Sequence, residues 1–172
     1  MEFYCAMVFT GEENAFRQKL LDALLPEYPQ TQCYSFERML YTPKRGWFHG
    51  ILFPGYVFIG LEELNPVILA KLKTIKGFCK LLQSNQNPTQ IKGAALNELK
   101  FLMTTGGMLG VSTVEFLPDQ AIKVVSGPLQ GYEGNIVRVN KKRKQITVRS
   151  LLTEDGRTFD LKYEDVERVG GI

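Results

Sequence analysis

The spacing of apolar and polar residues divides the chain into two regions of different pattern. In the first region, short runs of β-forming residues alternate with segments in which apolar residues recur every three or four positions. This pattern predicts strands at 3–9, 31–41, 51–60 and 78–82, and helices that begin near residues 11, 66 and 93. From residue 115 onward the helical period is absent, and turn sequences separate short strands at 121–126, 133–139, 144–151 and 156–162.

This change of pattern predicts an α+β fold. We expect an α/β domain with a mixed sheet over residues 1–112 and a small all-β barrel over residues 113–172. Between Ile51 and Gly60 the sequence FPGY interrupts a predicted strand. Because Pro54 and Gly55 disfavour regular pairing, we expect them to bend or bulge that strand and to present its aromatic rings.

Composition indicates a folded protein of a reducing compartment. Of 172 residues, 44% are apolar, which is enough for a real core. No apolar run approaches the roughly 20 residues of a membrane span, and the first residues lack the basic start of a signal peptide, so we expect a cytoplasmic protein and no membrane partner. Cys5, Cys33 and Cys79 have neither metal nor redox spacing, and their apolar surroundings predict three buried free thiols.

The sequence offers no recognisable catalytic site. Its one histidine, His49, lies in a predicted loop, and no nucleophile, phosphate-binding or metal-binding motif is present. Glu12 and Glu13 fall in the first turn of a predicted helix, where acids complement the helix dipole. We therefore expect no enzymatic activity, no metal and no cofactor.

Charge is concentrated in the second region. The net charge is only +3, but residues 138–149 hold six basic residues and no acid: Arg138, Lys141, Lys142, Arg143, Lys144 and Arg149. Residues 141–144 fall on a predicted hairpin tip, from which they can reach a phosphate backbone. The alternative is a solvated turn that keeps a strand edge soluble. Lys73, Lys76 and Lys80 form a second basic set around the second helix. A solvent-facing side of that helix explains this set without a role in nucleic-acid binding.

Two stretches carry a resemblance to a known family. VVSGPLQGYEGNIVRVNKKRKQITV resembles a KOW motif, in which two glycine-containing turns precede an apolar strand. Together with FYCAMVFTGEEN at the start and FPGYVF and GFCKLL in the middle, it makes nearly the whole chain similar to the NusG family of transcription elongation factors. TGEEN, LFPGYVFI and GFCKLL are most similar to the specialised LoaP paralogues, which are antiterminators. The resemblance implies an NGN-type domain at 1–112 and a KOW domain at 113–172.

The resemblance also implies a binding surface. In the family, an aromatic patch docks on the clamp helices of the β′ subunit of RNA polymerase. Carried over to this chain, the aromatic patch comprises Phe3, Tyr4, Phe53, Pro54, Tyr56 and Phe58. Strand alternation places some of these rings inward, and we expect Tyr4 and Phe53 to contribute most. The polar His-Thr run with which RfaH-like relatives reach the other side of the polymerase cleft has no counterpart here.

Three roles remain open for the second domain. In the first, a monomeric factor promotes processive antitermination, and its KOW domain contacts a hairpin of nascent RNA through the basic tip. In the second, the KOW domain recruits a ribosomal protein through exposed apolar residues such as Leu129, Tyr132 and Phe159. In the third, the domain switches, as in RfaH, to a helical hairpin that covers the aromatic patch; its many β-branched residues and turn glycines disfavour this.

Overall fold

The computed structural model describes residues 1–153 and 155–166 of the chain. Its helices are α1 (Glu13–Leu24), α2 (Pro66–Thr74) and α3 (Gly93–Met103). Its strands are β1 (Glu2–Val8), β2 (Gln32–Tyr34), β3 (Glu37–Thr42), β4 (Gly46–Ile51), β5 (Tyr56–Leu61), β6 (Phe78–Leu81), β7 (Met108–Leu109), β8 (Ser112–Phe116), β9 (Ile122–Ser126), β10 (Ile136–Asn140), β11 (Gln145–Arg149) and β12 (Thr158–Asp165). Of these described helices, none is both long and apolar enough to span a membrane.

The central sheet of the N-terminal region is antiparallel, with the strand order β2-β5-β1-β6. Successive side chains of β1 point to opposite faces of this sheet. One face carries Tyr4, Ala6 and Val8 and packs against α1 and α2. The other face carries Phe3 and Cys5, which belong to a second core that includes α3 and the C-terminal strands. The central sheet is therefore buried on both sides.

The helices of the first core begin within two residues of the predicted positions. Asn65 caps α2, because its side-chain oxygen accepts a hydrogen bond from the backbone nitrogen of Ile68 at 2.9 Å, and Pro66 follows at the first helical position. α1 buries Phe16, Leu20 and Leu24 at helical spacing. These apolar stripes hold both helices on the central sheet.

A second, three-stranded sheet has the order β4-β3-β7. β3 and β4 form an antiparallel hairpin, and β7 pairs parallel to β3, so the predicted mixture of strand directions occurs here. The prediction of one strand over 31–41 was wrong, because the chain leaves the central sheet after Tyr34 and enters the second sheet at Glu37. Phe36, between the two strands, is buried in the second core.

The C-terminal strands form one five-stranded sheet, the C-terminal sheet, in the order β10-β11-β12-β8-β9. The predicted α+β fold with a small all-β C-terminal half-barrel is confirmed. β8 was not predicted, and it begins at Ser112 and pairs parallel to β12. The strand predicted at 133–139 begins only at Ile136, because Glu133–Asn135 form a 3₁₀ turn. The division at residue 112 stays a prediction.

The three cysteines are free, but their surroundings differ. Cys5 and Cys33 are buried as expected, whereas Cys79 is exposed, so the prediction of three buried thiols was wrong for Cys79. Cys79 lies on β6, an edge strand of the central sheet, where one flank of the chain is not covered by a neighbouring strand. Burial raises the pKa of the Cys33 thiol to about 12, against a smaller opposing effect of the charge on Arg17.

Candidate functional site

The FPG sequence forms a turn between two sheets. β4 ends at Ile51 in the three-stranded sheet, and β5 begins at Tyr56 in the central sheet. The expected bend or bulge within a single strand is therefore replaced by a sheet-to-sheet turn. Gly55 has a φ of +83°, which favours glycine, and a Cβ there would lie 3.3 Å from the hydroxyl oxygen of Thr10.

A buried glutamate anchors this turn. The Glu13 side chain is 1% exposed, and its Oε1 accepts a hydrogen bond from the backbone nitrogen of Gly55 at 2.7 Å. Its Oε2 accepts one from the backbone nitrogen of Gly11 at 2.9 Å. The Gly55 carbonyl in turn accepts from the backbone nitrogen of Val8 at 2.9 Å. Glu13 therefore does more than complement a helix dipole, because it joins the FPG turn to the start of α1.

The structure divides the predicted aromatic patch between the two cores. Phe3, Phe53 and Phe58 belong to the second core, and Phe58 stacks edge-on against Phe53 with ring centroids 5.3 Å apart. Tyr4 lies on the opposite face of β1, in the core that α1 and α2 cover. Burial raises the Tyr4 pKa to about 12, assisted by the hydrogen bond that its hydroxyl donates to Glu2. Tyr4 is thus separated from the other rings by the sheet itself.

The C-terminal sheet covers the Phe53 ring. Phe159 of β12 lies edge-on against Phe53, with ring centroids 5.5 Å apart, and Phe53 is only 1% exposed. Phe159 also meets Tyr132 edge-on at 5.3 Å, and Tyr132 meets Phe101 of α3 at 6.1 Å. Edge-to-face pairs of this kind are favourable beyond the area that they bury. These contacts make an aromatic interface between the N-terminal region and the C-terminal sheet, an arrangement termed closed below.

Glu98 of α3 satisfies three donors of the C-terminal region inside this interface. Its Oε1 accepts hydrogen bonds from the hydroxyls of Tyr132 at 2.7 Å and Ser150 at 2.8 Å. Its Oε2 accepts from the backbone nitrogen of Leu151 at 2.7 Å. Burial raises the pKa of Tyr132, and the neighbouring Glu98 raises it further, so the phenol remains a donor. Without Glu98, these donors would remain unpaired in the closed arrangement.

Arg157 contacts the exposed side of the patch. One of its guanidinium nitrogens donates to the Pro54 carbonyl oxygen at 2.9 Å, and the guanidinium lies 4.7 Å from the centre of the Tyr56 ring. Pro54 is exposed and Tyr56 is half-buried. Pro54 and Tyr56 flank Phe53 in sequence, and Arg157 and Phe159 of the C-terminal region contact all three.

The same packing overturns one expectation about the C-terminal residues. Leu129, Tyr132 and Phe159 were predicted to be exposed, but they are 0%, 1% and 4% exposed.

Two glycines of the C-terminal region permit close packing. A Cβ on Gly131 would lie 2.4 Å from the Phe101 ring, so this glycine permits the close approach of α3. Gly127, by contrast, is required within the sheet, where it has a φ of +93° and approaches Ser112.

The six predicted nucleic-acid-binding residues all lie on the exposed surface of the β10–β11 hairpin, here called the basic hairpin: Arg138, Lys141, Lys142, Arg143, Lys144 and Arg149. Lys141–Lys144 form its turn, in which the Asn140 side chain accepts a hydrogen bond from the Arg143 backbone at 3.0 Å. The ammonium of Lys144 pairs with Asp165 at 3.1 Å, and that of Lys141 lies over the Phe116 ring. Within the described chain, Lys142 and Arg143 have no carboxylate within ion-pair distance.

Comparison with known proteins agrees with this architecture. The family model described as "Transcription termination factor nusG" matches residues 1–100, more than half of the chain. The chain belongs to the NusG family. It is therefore a NusG-family transcription factor, and members of this family bind RNA polymerase.

A solved structure titled "Domain interaction in Thermotoga maritima NusG" has the same fold. It superimposes with a TM-score of 0.56 at 16% sequence identity, over 94% of this chain and 93% of that one. At this identity the likeness concerns the fold, namely the NGN domain followed by the KOW half-barrel.

Proposed function

We propose that this NusG-family protein binds the clamp helices of RNA polymerase through Phe3, Phe53, Pro54, Tyr56 and Phe58, and that it promotes processive antitermination as LoaP-like factors do. The observation that supports the proposal is that Phe159 of the C-terminal sheet packs on the Phe53 ring, which is 1% exposed. An apolar surface that becomes exposed when the C-terminal sheet moves away is typical of a partner-binding site. The protein acts by binding, in the cytoplasm, without covalent chemistry.

The closed arrangement makes polymerase binding conditional. The clamp helices and Phe159 cannot occupy the face of Phe53 together, so the C-terminal sheet must move away before the polymerase binds. The apparent affinity of a site that is only partly available falls in proportion to the available fraction. The C-terminal sheet covers this surface in its β form, so covering it does not require the helical switch of RfaH-like factors.

The test measures the affinity of the full chain for purified RNA polymerase in an Arg157→Ala background, which weakens closure without altering the patch. We expect Arg157→Ala to tighten binding, and a further Tyr56→Ala to weaken it by roughly 30-fold, a value typical of an interface hot spot. Tyr28→Ala is the matched control, because Tyr28 is also half-buried beneath a cation, that of Lys71, but lies far from the patch. If Tyr28→Ala and Tyr56→Ala have equal effects, the patch does not bind polymerase.

We further propose that the basic hairpin contacts a structured hairpin of nascent RNA. Its six basic residues are exposed, and shape and phosphate positions dominate recognition of double-stranded RNA. The test is binding of a leader RNA hairpin to the full chain after alanine replacement of Lys141, Lys142, Arg143 and Lys144. The control removes the same charge from the α2 region by replacing Lys71, Lys73, Lys76 and Lys80. Equal losses in both variants would contradict the assignment.

Recruitment of a ribosomal protein is a second candidate. Phe159 packs against Phe53 and Tyr132 packs against Phe101 of the N-terminal region, and these contacts are lost when the closed arrangement opens. Phosphate contacts weaken steeply with salt, whereas apolar contacts do not, so the salt dependence of binding distinguishes the two roles. A terminator-readthrough assay with the RNA and ribosomal partners added separately then assigns the effect on transcription.

A further inference from the structure

A cleft of about 830 Å³ lies on the other side of the contact between the N-terminal region and the C-terminal sheet. The β3–β4 hairpin forms one wall, with Tyr41 and Trp47, and the basic hairpin and β12 form the other, with Lys142, Arg143, Lys144 and Lys162. Its volume falls within the range of pockets that enclose small organic ligands. The cleft is separate from the aromatic patch and shares none of its residues.

The aromatic wall is open to solvent. Tyr41 and Trp47 face each other across the β3–β4 hairpin, with ring centroids 5.4 Å apart and an angle of 57° between the rings. They are 43% and 50% exposed, so much of each side chain is accessible to a ligand. The guanidinium of Arg45 lies over the ring of Phe48 on the same hairpin. The β3–β4 hairpin therefore carries a second ring with a cation beside it.

The opposite wall is strongly cationic. Four basic side chains line the cleft against the single carboxylate of Glu164. Lys162 is only 6% exposed, and its ammonium donates to the neutral carbonyl oxygen of Arg143 while lying 5.8 Å from the Tyr41 ring. Among the described residues, the ion pairs of this wall are limited to that of Lys144 with Asp165. The cleft therefore holds more positive charge than its own carboxylates neutralise.

We propose that this cleft binds a short single-stranded segment of RNA, with a base stacked on Trp47 and Tyr41 and adjacent phosphates on Lys142 and Arg143. Rings that accept base stacking beside cations that follow the backbone are the combination used to bind single-stranded nucleic acids. An acidic peptide would match the cations but would leave the two rings without a partner. The choice of RNA over DNA rests on the proposed function, in which the basic hairpin contacts the nascent transcript.

Both walls are needed, so the segment binds the closed arrangement. Each wall belongs to a different region, and opening the aromatic interface separates them. RNA in the cleft therefore favours closure and weakens polymerase binding, and polymerase weakens RNA binding by the same factor. This distinguishes the cleft from the hairpin contact proposed above, which uses the basic hairpin alone.

Trp47 is the only tryptophan of the chain, so its fluorescence reports directly on this site. The experiment titrates the full chain with decamers of oligouridylate, oligoadenylate and oligodeoxythymidylate, and with polyglutamate. We expect saturable quenching by the two RNA decamers and about tenfold weaker binding after Trp47→Ala, the latter measured by anisotropy of labelled RNA. Lys142→Ala with Arg143→Ala lowers the slope of log affinity against log salt by about 1.4, the value for two phosphate contacts.

Controls separate this inference from the proposed function. Tyr28→Ala, at a ring remote from the cleft, leaves decamer binding unchanged, and Trp47→Phe restores most of it. Equal quenching by the deoxy decamer or by polyglutamate would overturn the assignment to RNA. If a leader hairpin binds while the decamers leave the fluorescence of Trp47 unchanged, the cleft proposal fails and the hairpin contact stands. If the decamers bind but the leader RNA hairpin does not, only the proposed contact between the basic hairpin and structured RNA is contradicted.

Discussion

The surfaces around Phe53 and Trp47 use the same residue types in opposite ways. Each joins an aromatic side chain of the N-terminal region to the C-terminal sheet, and each has a cation beside a ring. Around Phe53 the rings are buried edge-to-face, and Glu98 accepts hydrogen bonds from buried donors of the C-terminal region. The N-terminal surface is therefore complementary to the C-terminal sheet. Around Trp47 the rings are half exposed and the cations outnumber the carboxylates. Burial and pairing, more than residue type, distinguish the closed contact from the surface that we propose to bind RNA.

The two surfaces are expected to differ most in how much their aromatic side chains contribute to the free energy of unfolding. Phe53→Ala removes a fully buried ring, and we expect the free energy of unfolding to fall by about 3–5 kcal/mol. Trp47→Ala is the matched exposed aromatic change, with an expected effect of about 0.5 kcal/mol or less. Urea denaturation of both variants measures the two effects. Similar losses would show that the surfaces are buried to the same extent in solution.

Glu98→Ala tests whether its hydrogen bonds hold the closed arrangement. Three donors lose their acceptor, and we expect closure to weaken by about 3 kcal/mol. Opening weakens the nuclear Overhauser effect between protons of the Phe53 and Phe159 rings, whose centroids are 5.5 Å apart in the closed arrangement. Glu62→Ala, at an exposed glutamate, is the control and leaves this effect unchanged. An unchanged effect in Glu98→Ala would mean that other contacts keep the interface closed.

Two glycines test how much the same interface depends on close packing. A Cβ on Gly131 would lie 2.4 Å from the Phe101 ring, so Gly131→Ala must displace that ring, at a cost of about 2 kcal/mol. Gly134, three residues later, has nothing within 4 Å of its Cβ position, and we expect Gly134→Ala to be nearly neutral. Calorimetric unfolding compares them directly. Equal effects would show that α3 does not pack against Gly131.

The smallest expected effect concerns the buried thiol of the N-terminal core. Because burial raises the Cys33 pKa from 9.0 to about 12, the folded protein keeps this proton between those values while the unfolded chain loses it. Stability due to Cys33 is therefore full below pH 9 and declines above it, by about 1.4 kcal/mol at pH 10. Cys33→Ala should reduce the stability lost between pH 7 and pH 10 by that amount. Cys79→Ala, at an exposed thiol, should leave the loss unchanged.

Local patterns in the sequence predicted most of the elements. The cap at Asn65, the stripe of α1 and the alternation of β1 all act between near neighbours, so they can be read from spacing. Alternation along β1 also explains why Phe3 and Tyr4, adjacent in sequence, lie in different cores. The break after Tyr34 was missed because a change of sheet leaves no mark on an alternating run.

The two glutamates that organise the site were not recognised, although a signal was present. Glu13 precedes Phe16 by three positions, and Glu98 precedes Leu102 by four, so each lies on the buried stripe of its helix. A carboxylate on an apolar stripe predicts a buried acceptor. Its partners could not be predicted, because Gly55 is 42 residues from Glu13 and Leu151 is 53 residues from Glu98. The contact between Phe53 and Phe159 also joins residues that lie far apart in the sequence.

The C-terminal sheet covers the Phe53 ring of the patch that we propose to bind polymerase. The affinity of the full chain for RNA polymerase with and without Glu98→Ala tests this account most directly. Glu98 accepts hydrogen bonds from the C-terminal region and is not a residue of the patch. We expect its removal to open the interface and to leave the residues of the patch in place. We expect Glu98→Ala to bind polymerase at least tenfold more tightly than the wild type. Equal or weaker binding, with loss of the nuclear Overhauser effect between the Phe53 and Phe159 rings verifying that the interface has opened, would contradict the account.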